Sequence, residues 1–140
     1  MKVLADTCVW SLALRRRNKT APMGAEEQHL LTSLTEAIRD GRVAIIGPIR
    51  QELLSGVKDA AQFAKLSEAL GAFPDEPLTT LHYVEAARLF NLCRSRGVEC
   101  GPIDILICTV AVLKHWTILT YDKGLKRCIE VLRSEGQIKH

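Results

Sequence analysis

The chain has 140 residues, of which 47% are hydrophobic and 25% charged, and its formal net charge is +3. This length favours a single domain spanning residues 1–140, and the composition excludes a disordered chain. No stretch approaches the roughly 20 apolar residues of a membrane span, and the first apolar run is too short for a secretory signal. We therefore expect a cytoplasmic protein, whose weak positive charge is compatible with a polyanionic partner without requiring one.

The first half of the chain alternates between strand and helix patterns. KVLA predicts a short strand, followed by a helix from Thr7 to about Arg17. A second helix follows Pro22 and ends at Gly41, and VAIIG then reads as a buried strand. Two more helices run through IRQELLSG and over about 58–70. The inner faces of the second and fourth helices are predicted to consist of Leu30, Leu34, Ala37 and Ile38, and of Ala60, Phe63, Leu66 and Leu70.

The second half continues the alternation. FPDEPLT is at best an edge strand, because its two prolines exclude a central one. A helix over 81–96 is predicted to bury Tyr83, Ala86, Phe90 and Cys93, and the segment 104–114 is apolar nearly all round, as in a buried helix. WTILT predicts a strand, and 123–134 a final amphipathic helix. Alternating strands and helices imply crossover connections, hence a three-layer α/β/α sandwich with a central parallel sheet.

Five cysteines and four histidines bear on redox and zinc chemistry. The cysteines are odd in number and irregularly spaced, and the sequence contains no C-x-x-C and no H-x-x-x-H. This pattern argues against both a disulfide framework and a zinc site. We expect the cysteines to be buried or unreactive thiols in a reducing cytoplasm.

Four acidic residues stand near the predicted carboxyl ends of strands. Asp6 directly follows KVLA, Asp122 comes shortly after WTILT, Glu52 follows VAIIG by one helical turn or so, and Asp104 opens the buried helix. Sites in open parallel α/β sheets form beyond this edge. Each acid also has an ordinary structural explanation: Asp6 and Asp104 as helix N-caps, Asp122 as a turn residue, and Glu52 as an acid favoured by a helix dipole.

Taken together, four carboxylates at one edge would repel one another, and a cation would remove that cost. Oxygen ligands without thiolate or imidazole select Mg²⁺ or Mn²⁺, ions that serve phosphoester chemistry. The sequence has no G-x-x-x-x-G-K-[ST] and no G-x-G-x-x-G, so the phosphate cradles of nucleotide-binding folds are absent. Hydrolysis of a phosphoester is the reaction that this pattern favours.

Four segments in this order, ADT, IGPIRQELLSG, GPIDILICTVAVLKH and TILTYDKGL, resemble the acidic motifs of PIN-domain ribonucleases. Within that family the chain is most similar to the VapC toxins of bacterial toxin–antitoxin pairs, over essentially its whole length. The resemblance implies an endoribonuclease dependent on Mg²⁺ or Mn²⁺, in which water attacks the RNA phosphate in line and leaves a 5′-phosphate and a 3′-hydroxyl. It also implies a homodimer silenced by a small antitoxin protein.

The resemblance assigns roles to individual residues. Asp6 and Asp104 match the acids most directly on the metal, and Glu52 and Asp122 match those that complete the site and help to position or deprotonate the water. Thr7 and Thr120 match flanking hydroxyl positions, although ordinary capping and strand roles explain them equally well. Arginines would bind flanking phosphates, and the candidates are Arg15, Arg16 and Arg50.

The chain departs from the family pattern at three positions, and rival functions share parts of its pattern. Cys108 and Thr109 replace the more usual alanine, and Leu125 replaces a common aromatic residue, which blurs the subfamily without touching the chemistry. A phospho-receiver or a D-x-D phosphatase is disfavoured, since D-T-C supplies no second acid after the first strand. A PIN-like binding module without catalysis and a housekeeping RNA-processing nuclease without an antitoxin remain open. The amphipathic segments 24–40 and 58–70 suit a dimer or antitoxin surface, and core packing explains them as well.

Overall fold

A three-stranded parallel sheet forms the centre of the structure, a computed structural model that describes residues 1–15 and 23–139. The strands are β1 (Val3–Ala5), β2 (Val43–Ala44) and β3 (Thr117–Leu119), in the order β2-β1-β3. Leu4 of β1 pairs with Ala44 on one side and with Ile118 on the other. Because all three strands are parallel, their carboxyl ends lie at one edge of the sheet. The chain passes from the central β1 to β2 on one side and then crosses over to β3 on the other.

Helices cover the sheet, as the alternating pattern predicted. α1 and α2 pack against β1, α6 packs against β3, and α5 and α7 pack against α6 and each other. This arrangement confirms the predicted three-layer α/β/α fold with a central parallel sheet. The helices found in the described residues are α1 (Thr7–Arg15), α2 (Ala25–Arg39), α3 (Gly47–Leu54), α4 (Ala60–Leu70), α5 (Thr80–Ser95), α6 (Pro102–Lys114) and α7 (Lys123–Ser134). None of them is long and apolar enough to cross a bilayer.

The segment FPDEPLT pairs with the sheet at a single point. Asp75 forms one parallel bridge with Ile45, and the backbone N–H of Glu76 donates to the carbonyl of Ile45 at 2.8 Å. Pro74 and Pro77 flank these two residues, and proline has no N–H to continue a ladder. The predicted edge strand is therefore reduced to one bridge.

The core lies between the sheet and both helical layers. Trp10 of α1 is almost fully buried and meets Phe73 edge to face, with ring centroids 5.2 Å apart. Fully buried side chains from the other elements complete this core, among them Leu4, Val9, Leu34, Ile45, Ile46, Ile49, Leu89, Ile107, Leu125 and Leu132.

Four side chains predicted to face inward are exposed, and the smallest of them is Ala60 at the start of α4. Tyr83 on α5 is 53% exposed, because that helix buries His82 and Leu89 beside Ala86 and Cys93, in place of Tyr83 and Phe90. Phe63 on α4 is 41% exposed, since α4 packs on α3 and buries fully only Leu70 at its end. Ile38, at 38%, lies at the margin of the buried face of α2.

The expectation of five unpaired thiols was wrong for one pair. Cys100, in the loop before α6, forms a disulfide with Cys128 of α7 across a Cα–Cα distance of 6.2 Å. The two cysteines are 28 residues apart in sequence, and packing of α6 beside α7 brings them together. Spacing along the chain does not report that proximity. Of the remaining cysteines, Cys93 and Cys108 are buried and Cys8 is half-buried.

Candidate functional site

The four predicted acids come from four different elements around the carboxyl edge of the sheet. Asp6 separates β1 from α1, and Asp122 stands between β3 and α7. Asp104 lies in the first turn of α6, and Glu52 lies near the end of α3. The negative charges of Asp6, Asp122 and Glu52 all act on Asp104, so the fold brings the four carboxylates into one electrostatic cluster.

Asp6 is the most deeply placed member of this acidic cluster, with 6% of its surface exposed. A carboxylate buried to that extent needs hydrogen-bond donors. Its Oδ1 accepts from the backbone N–H of Thr7 at 2.7 Å, and its Oδ2 accepts from the hydroxyl of Thr120 at 2.9 Å. The thiol of Cys8 donates to the same Oδ2 at 3.4 Å. Asp6 is therefore held in one orientation by donors from α1 and from the end of β3.

Thr7 and Thr120 both contact members of the cluster. The hydroxyl of Thr7 donates to Glu52 Oε1, which links the start of α1 to α3. The hydroxyl of Thr120 accepts from the backbone N–H of Asp122 at 3.0 Å while donating to Asp6. Each threonine thus orients one carboxylate through its side chain.

Asp104 has the clearest electrostatic signature in the cluster. Burial, followed by the charges of Asp6, Asp122 and Glu52, raises the pKa of Asp104 from 3.8 to about 6. Burial penalises the charged form, and neighbouring carboxylates penalise it further. The site therefore concentrates more negative charge than its surroundings stabilise.

The structure also decides between the ordinary explanations of these acids. Gly101, not Asp104, is the N-cap of α6, so the N-cap explanation fails for Asp104, and Glu52 lies beyond the first turn of α3, so the dipole explanation fails for Glu52. Asp122 does act as a cap, because its Oδ2 accepts from the backbone N–H of Leu125 at 2.9 Å. Asp6 likewise serves the start of α1 through its bond to Thr7.

The fit of the cluster to a metal ion is electrostatic rather than geometric. Within residues 1–15 and 23–139, no group of three or more His, Cys, Asp or Glu side chains is arranged so that it could hold a metal ion. Glu52 is tied to Thr7 and Asp122 to Leu125, and both bonds are made by the carboxylate oxygens that a metal would need. The charge and the oxygen chemistry suit a hard divalent cation.

Arg50, one of the arginines predicted to bind phosphate, has intramolecular partners in the structure. Its guanidinium donates to Asp75 Oδ1 at 3.0 Å, to the carbonyl of Leu70 at 2.9 Å and to the carbonyl of Phe73. All three of its nitrogens are therefore used to join α3 to the turn after α4. A planar guanidinium satisfies several backbone carbonyls at once, which explains this structural role. Arg15 ends α1, and Arg16 lies outside the described residues.

Two residues near the cluster escaped the sequence analysis. Cys8 was grouped with the unreactive thiols, yet its sulfur lies against Asp6 and 3.6 Å from the hydroxyl of Thr120. Burial raises the pKa of the Tyr121 phenol, and the nearby charges of Cys8, Glu27 and Asp6 raise it further. Their positions in the sequence could have indicated that they lie near the cluster, since Cys8 is two residues after Asp6 and Tyr121 immediately precedes Asp122.

No curated protein sequence matches the chain. The sequence profile of the PIN domain, however, matches residues 3–130. PIN domains are typically nucleases that act on RNA, and they generally use divalent metal ions. The matched region runs from β1 into α7 and includes all four acids of the cluster. Since the profile covers most of its length, the chain belongs to the PIN-domain family.

Proposed function

We propose that the protein is an endoribonuclease dependent on Mg²⁺ or Mn²⁺ and that the acidic cluster is its active site. The observation that carries the proposal is the grouping of four carboxylates at the carboxyl edge of the sheet, where burial and the charges of Asp6, Asp122 and Glu52 raise the pKa of Asp104. Grouped carboxylates destabilise a fold unless a proton or a cation neutralises them, and acids with perturbed pKa values are typical of functional sites. Membership of the PIN-domain family supports the same reaction class.

We assign each residue of the cluster a role according to its position. Asp6 and Asp104 would hold the ion directly, and Glu52 and Asp122 would hold it directly or through water. When bound, the ion would polarise the scissile phosphate and lower the pKa of the attacking water. Thr120 and Thr7 keep Asp6 and Glu52 oriented, and Glu52, whose side chain is exposed, would accept a proton from that water.

We further propose that the nuclease is the toxin of a toxin–antitoxin pair, acting in the cytoplasm as a single-domain homodimer. Exposed apolar side chains support a protein-binding role for two helices. Phe63 projects from α4, and α5 exposes Leu81, Tyr83 and Val84 at 63%, 53% and 63%. Apolar side chains grouped on one exposed helical face are typical of a protein interface. A second copy of the chain and an antitoxin would occupy such surfaces.

A housekeeping RNA-processing nuclease and a binding module without catalysis are the alternatives. A housekeeping nuclease would use the same active site as the toxin and would differ only in having no antitoxin. The second requires that the acids serve structure alone. The N-cap role of Asp122 permits this, whereas the raised pKa of Asp104 and the position of Glu52 beyond the first turn of α3 oppose it. A short open reading frame immediately upstream of the gene would favour the toxin.

Cleavage of total RNA by the purified chain tests the reaction. We expect discrete fragments with Mg²⁺ or Mn²⁺, none with EDTA, and none from Asp6→Ala or Asp104→Asn. Glu68→Gln is the matched control, because it removes one exposed carboxylate from α4 outside the cluster and should cleave like the parent. Cleavage of a circular RNA would establish endonucleolytic attack. A folded chain that cleaves nothing with any divalent ion would leave the binding module as the remaining function.

The toxin role needs its own experiment. We expect induced expression of the parent chain to arrest growth, expression of Asp104→Asn to be tolerated, and co-expression of the upstream reading frame to restore growth. Cleavage in vitro combined with harmless expression would instead favour the housekeeping nuclease.

A further inference from the structure

Cys8 occupies a position in the hydrogen-bond network of Asp6 that no assigned role explains. It is the second residue of α1, and its sulfur lies 3.4 Å from Asp6 Oδ2 and 3.6 Å from Thr120 Oγ1. The backbone of Tyr121 also hydrogen-bonds to this sulfur. The thiol therefore touches both the first acid of the cluster and the chain segment that leads from β3 to Asp122.

The direction of these bonds follows from chemistry. A carboxylate accepts and cannot donate, so the thiol donates its hydrogen to Asp6 Oδ2. A backbone N–H can only donate, so the sulfur accepts from Tyr121. Asp6 Oδ2 consequently has two side-chain donors, the hydroxyl of Thr120 from the end of β3 and the thiol of Cys8 from α1. Through its sulfur, Cys8 therefore links the Asp6 carboxylate to the backbone of Tyr121, in the loop that carries Asp122.

We propose that Cys8 is a positioning residue for the active site: its thiol fixes the orientation of the Asp6 carboxylate and its distance from the loop before Asp122. This inference rests on the proposed function, because the orientation of Asp6 matters most if Asp6 binds a metal ion. Partners of metal-binding carboxylates commonly change metal affinity by about 10–100-fold when removed. A thiol is a weak donor, so the lower end of that range is expected for Cys8.

A packing role and a donor role for Cys8 predict different results. If the sulfur only fills space, Cys8→Ser and Cys8→Ala should behave alike, since both remove the sulfur. If donation to Asp6 matters, Cys8→Ser should retain function, because a hydroxyl can donate to the same oxygen, and Cys8→Ala should lose it. Cys93→Ala is the matched control, because it removes a buried thiol from α5.

The first measurement is Mn²⁺ affinity by calorimetry, without RNA. We expect about tenfold weaker binding for Cys8→Ala, a change below about threefold for Cys8→Ser, and parent affinity for Cys93→Ala. In cleavage assays, Cys8→Ala should then raise the Mn²⁺ concentration needed for half-maximal rate more than it lowers the rate at saturation. Equal affinities for the parent and both Cys8 variants, or equal losses in the two variants, would overturn the proposal.

A second measurement does not depend on metal binding. The backbone N–H of Thr7 donates to Asp6 Oδ1 at 2.7 Å, so its amide proton resonance reports the position of that carboxylate. In the metal-free protein we expect this resonance to move in Cys8→Ala and to stay near the parent position in Cys8→Ser. If the parent binds no Mn²⁺, the proposed nuclease fails, and the Thr7 resonance still decides the positioning role. An unmoved resonance in Cys8→Ala contradicts that role.

Discussion

Thr120 Oγ1 donates a hydrogen bond of 2.9 Å to Asp6 Oδ2, and this contact joins the ends of two adjacent parallel strands, β3 and β1. The same oxygen accepts from the backbone N–H of Asp122. One hydroxyl therefore sets the relative positions of two candidate metal ligands that are far apart in sequence. Hydrogen bonds that orient carboxylates in this way affect both the stability and the chemistry of a site.

Replacing Thr120 by valine removes that hydroxyl at nearly constant shape. We expect Thr120→Val to lower the cleavage rate about tenfold, because a lost hydrogen bond to a charged group typically costs about 1.5–3 kcal/mol. The measurement is the initial rate of RNA cleavage at several Mn²⁺ concentrations. Thr35→Val is the control, since the Thr35 hydroxyl is exposed and bonds only within its own helix, to the carbonyl of Leu31. Parent rates in Thr120→Val would show that the contact is dispensable.

The raised pKa of Asp104 predicts an unusual dependence of stability on pH. The folded protein binds this proton more tightly than the unfolded chain, because the pKa is about 6 in the fold and 3.8 without its surroundings. Folding is therefore favoured while Asp104 is protonated. Its contribution to the free energy of unfolding should fall as pH rises from about 4 to about 6 and stay constant above that. The fall is about 3 kcal/mol before solvent screening and smaller once the partial exposure of the side chain is counted.

Urea unfolding of the metal-free protein at several pH values measures this effect against Asp104→Asn. The variant lacks the titrating group, so it should be the more stable protein above about pH 6, with the difference vanishing near pH 4. Saturating Mn²⁺ should stabilise the parent more than the variant. A parallel dependence of both proteins on pH would show that Asp104 is not the group responsible.

The guanidinium of Arg50 predicts a structural rather than an RNA-binding phenotype. Arg50→Met would remove the guanidinium donor from the carbonyls of Leu70 and Phe73, of which Leu70 keeps the N–H of Phe73, and would leave Asp75 without its ion-pair partner. We expect a loss of about 3 kcal/mol in the free energy of unfolding, measured with urea. Arg42→Met should cost less than about 1 kcal/mol, because its pair with Asp40 is exposed. A stable Arg50→Met with weakened RNA binding would instead support the predicted phosphate role.

The disulfide between Cys100 and Cys128 should contribute measurably to stability. Closing a loop with a sequence separation of 28 residues restricts the unfolded chain by about 3–4 kcal/mol in the chain-entropy treatment. We expect the Cys100→Ser/Cys128→Ser double variant to unfold at lower urea concentration by that amount. A reducing agent should destabilise the parent and leave the double variant unchanged. An effect of the reducing agent on neither protein would mean that these two cysteines are unbonded in solution.

Sequence patterns predicted the fold well because they follow local chemistry. The strands at 3–5, 43–44 and 117–119 and the helices between them were each indicated by apolar runs, Gly and Pro. The burial of individual side chains was harder, since Tyr83 and His82 differ by one helical position and only tertiary packing selects between them. The acids of the cluster could be chosen by their place after strands, whereas the partners of Arg50, Cys8 and Cys100 come from elements that only folding brings together.

The fluorescence of Trp10 can report on the structure around it. It lies one helical turn beyond Asp6, almost fully buried against Phe73, while the other tryptophan, Trp116, is half-buried with the ammonium of Lys2 5.6 Å from its ring centroid. The two indoles should therefore emit at different wavelengths, the enclosed one further to the blue. With Trp116→Phe, a single tryptophan would remain in the chain. Its fluorescence would report both unfolding and changes near Asp6 without an added label.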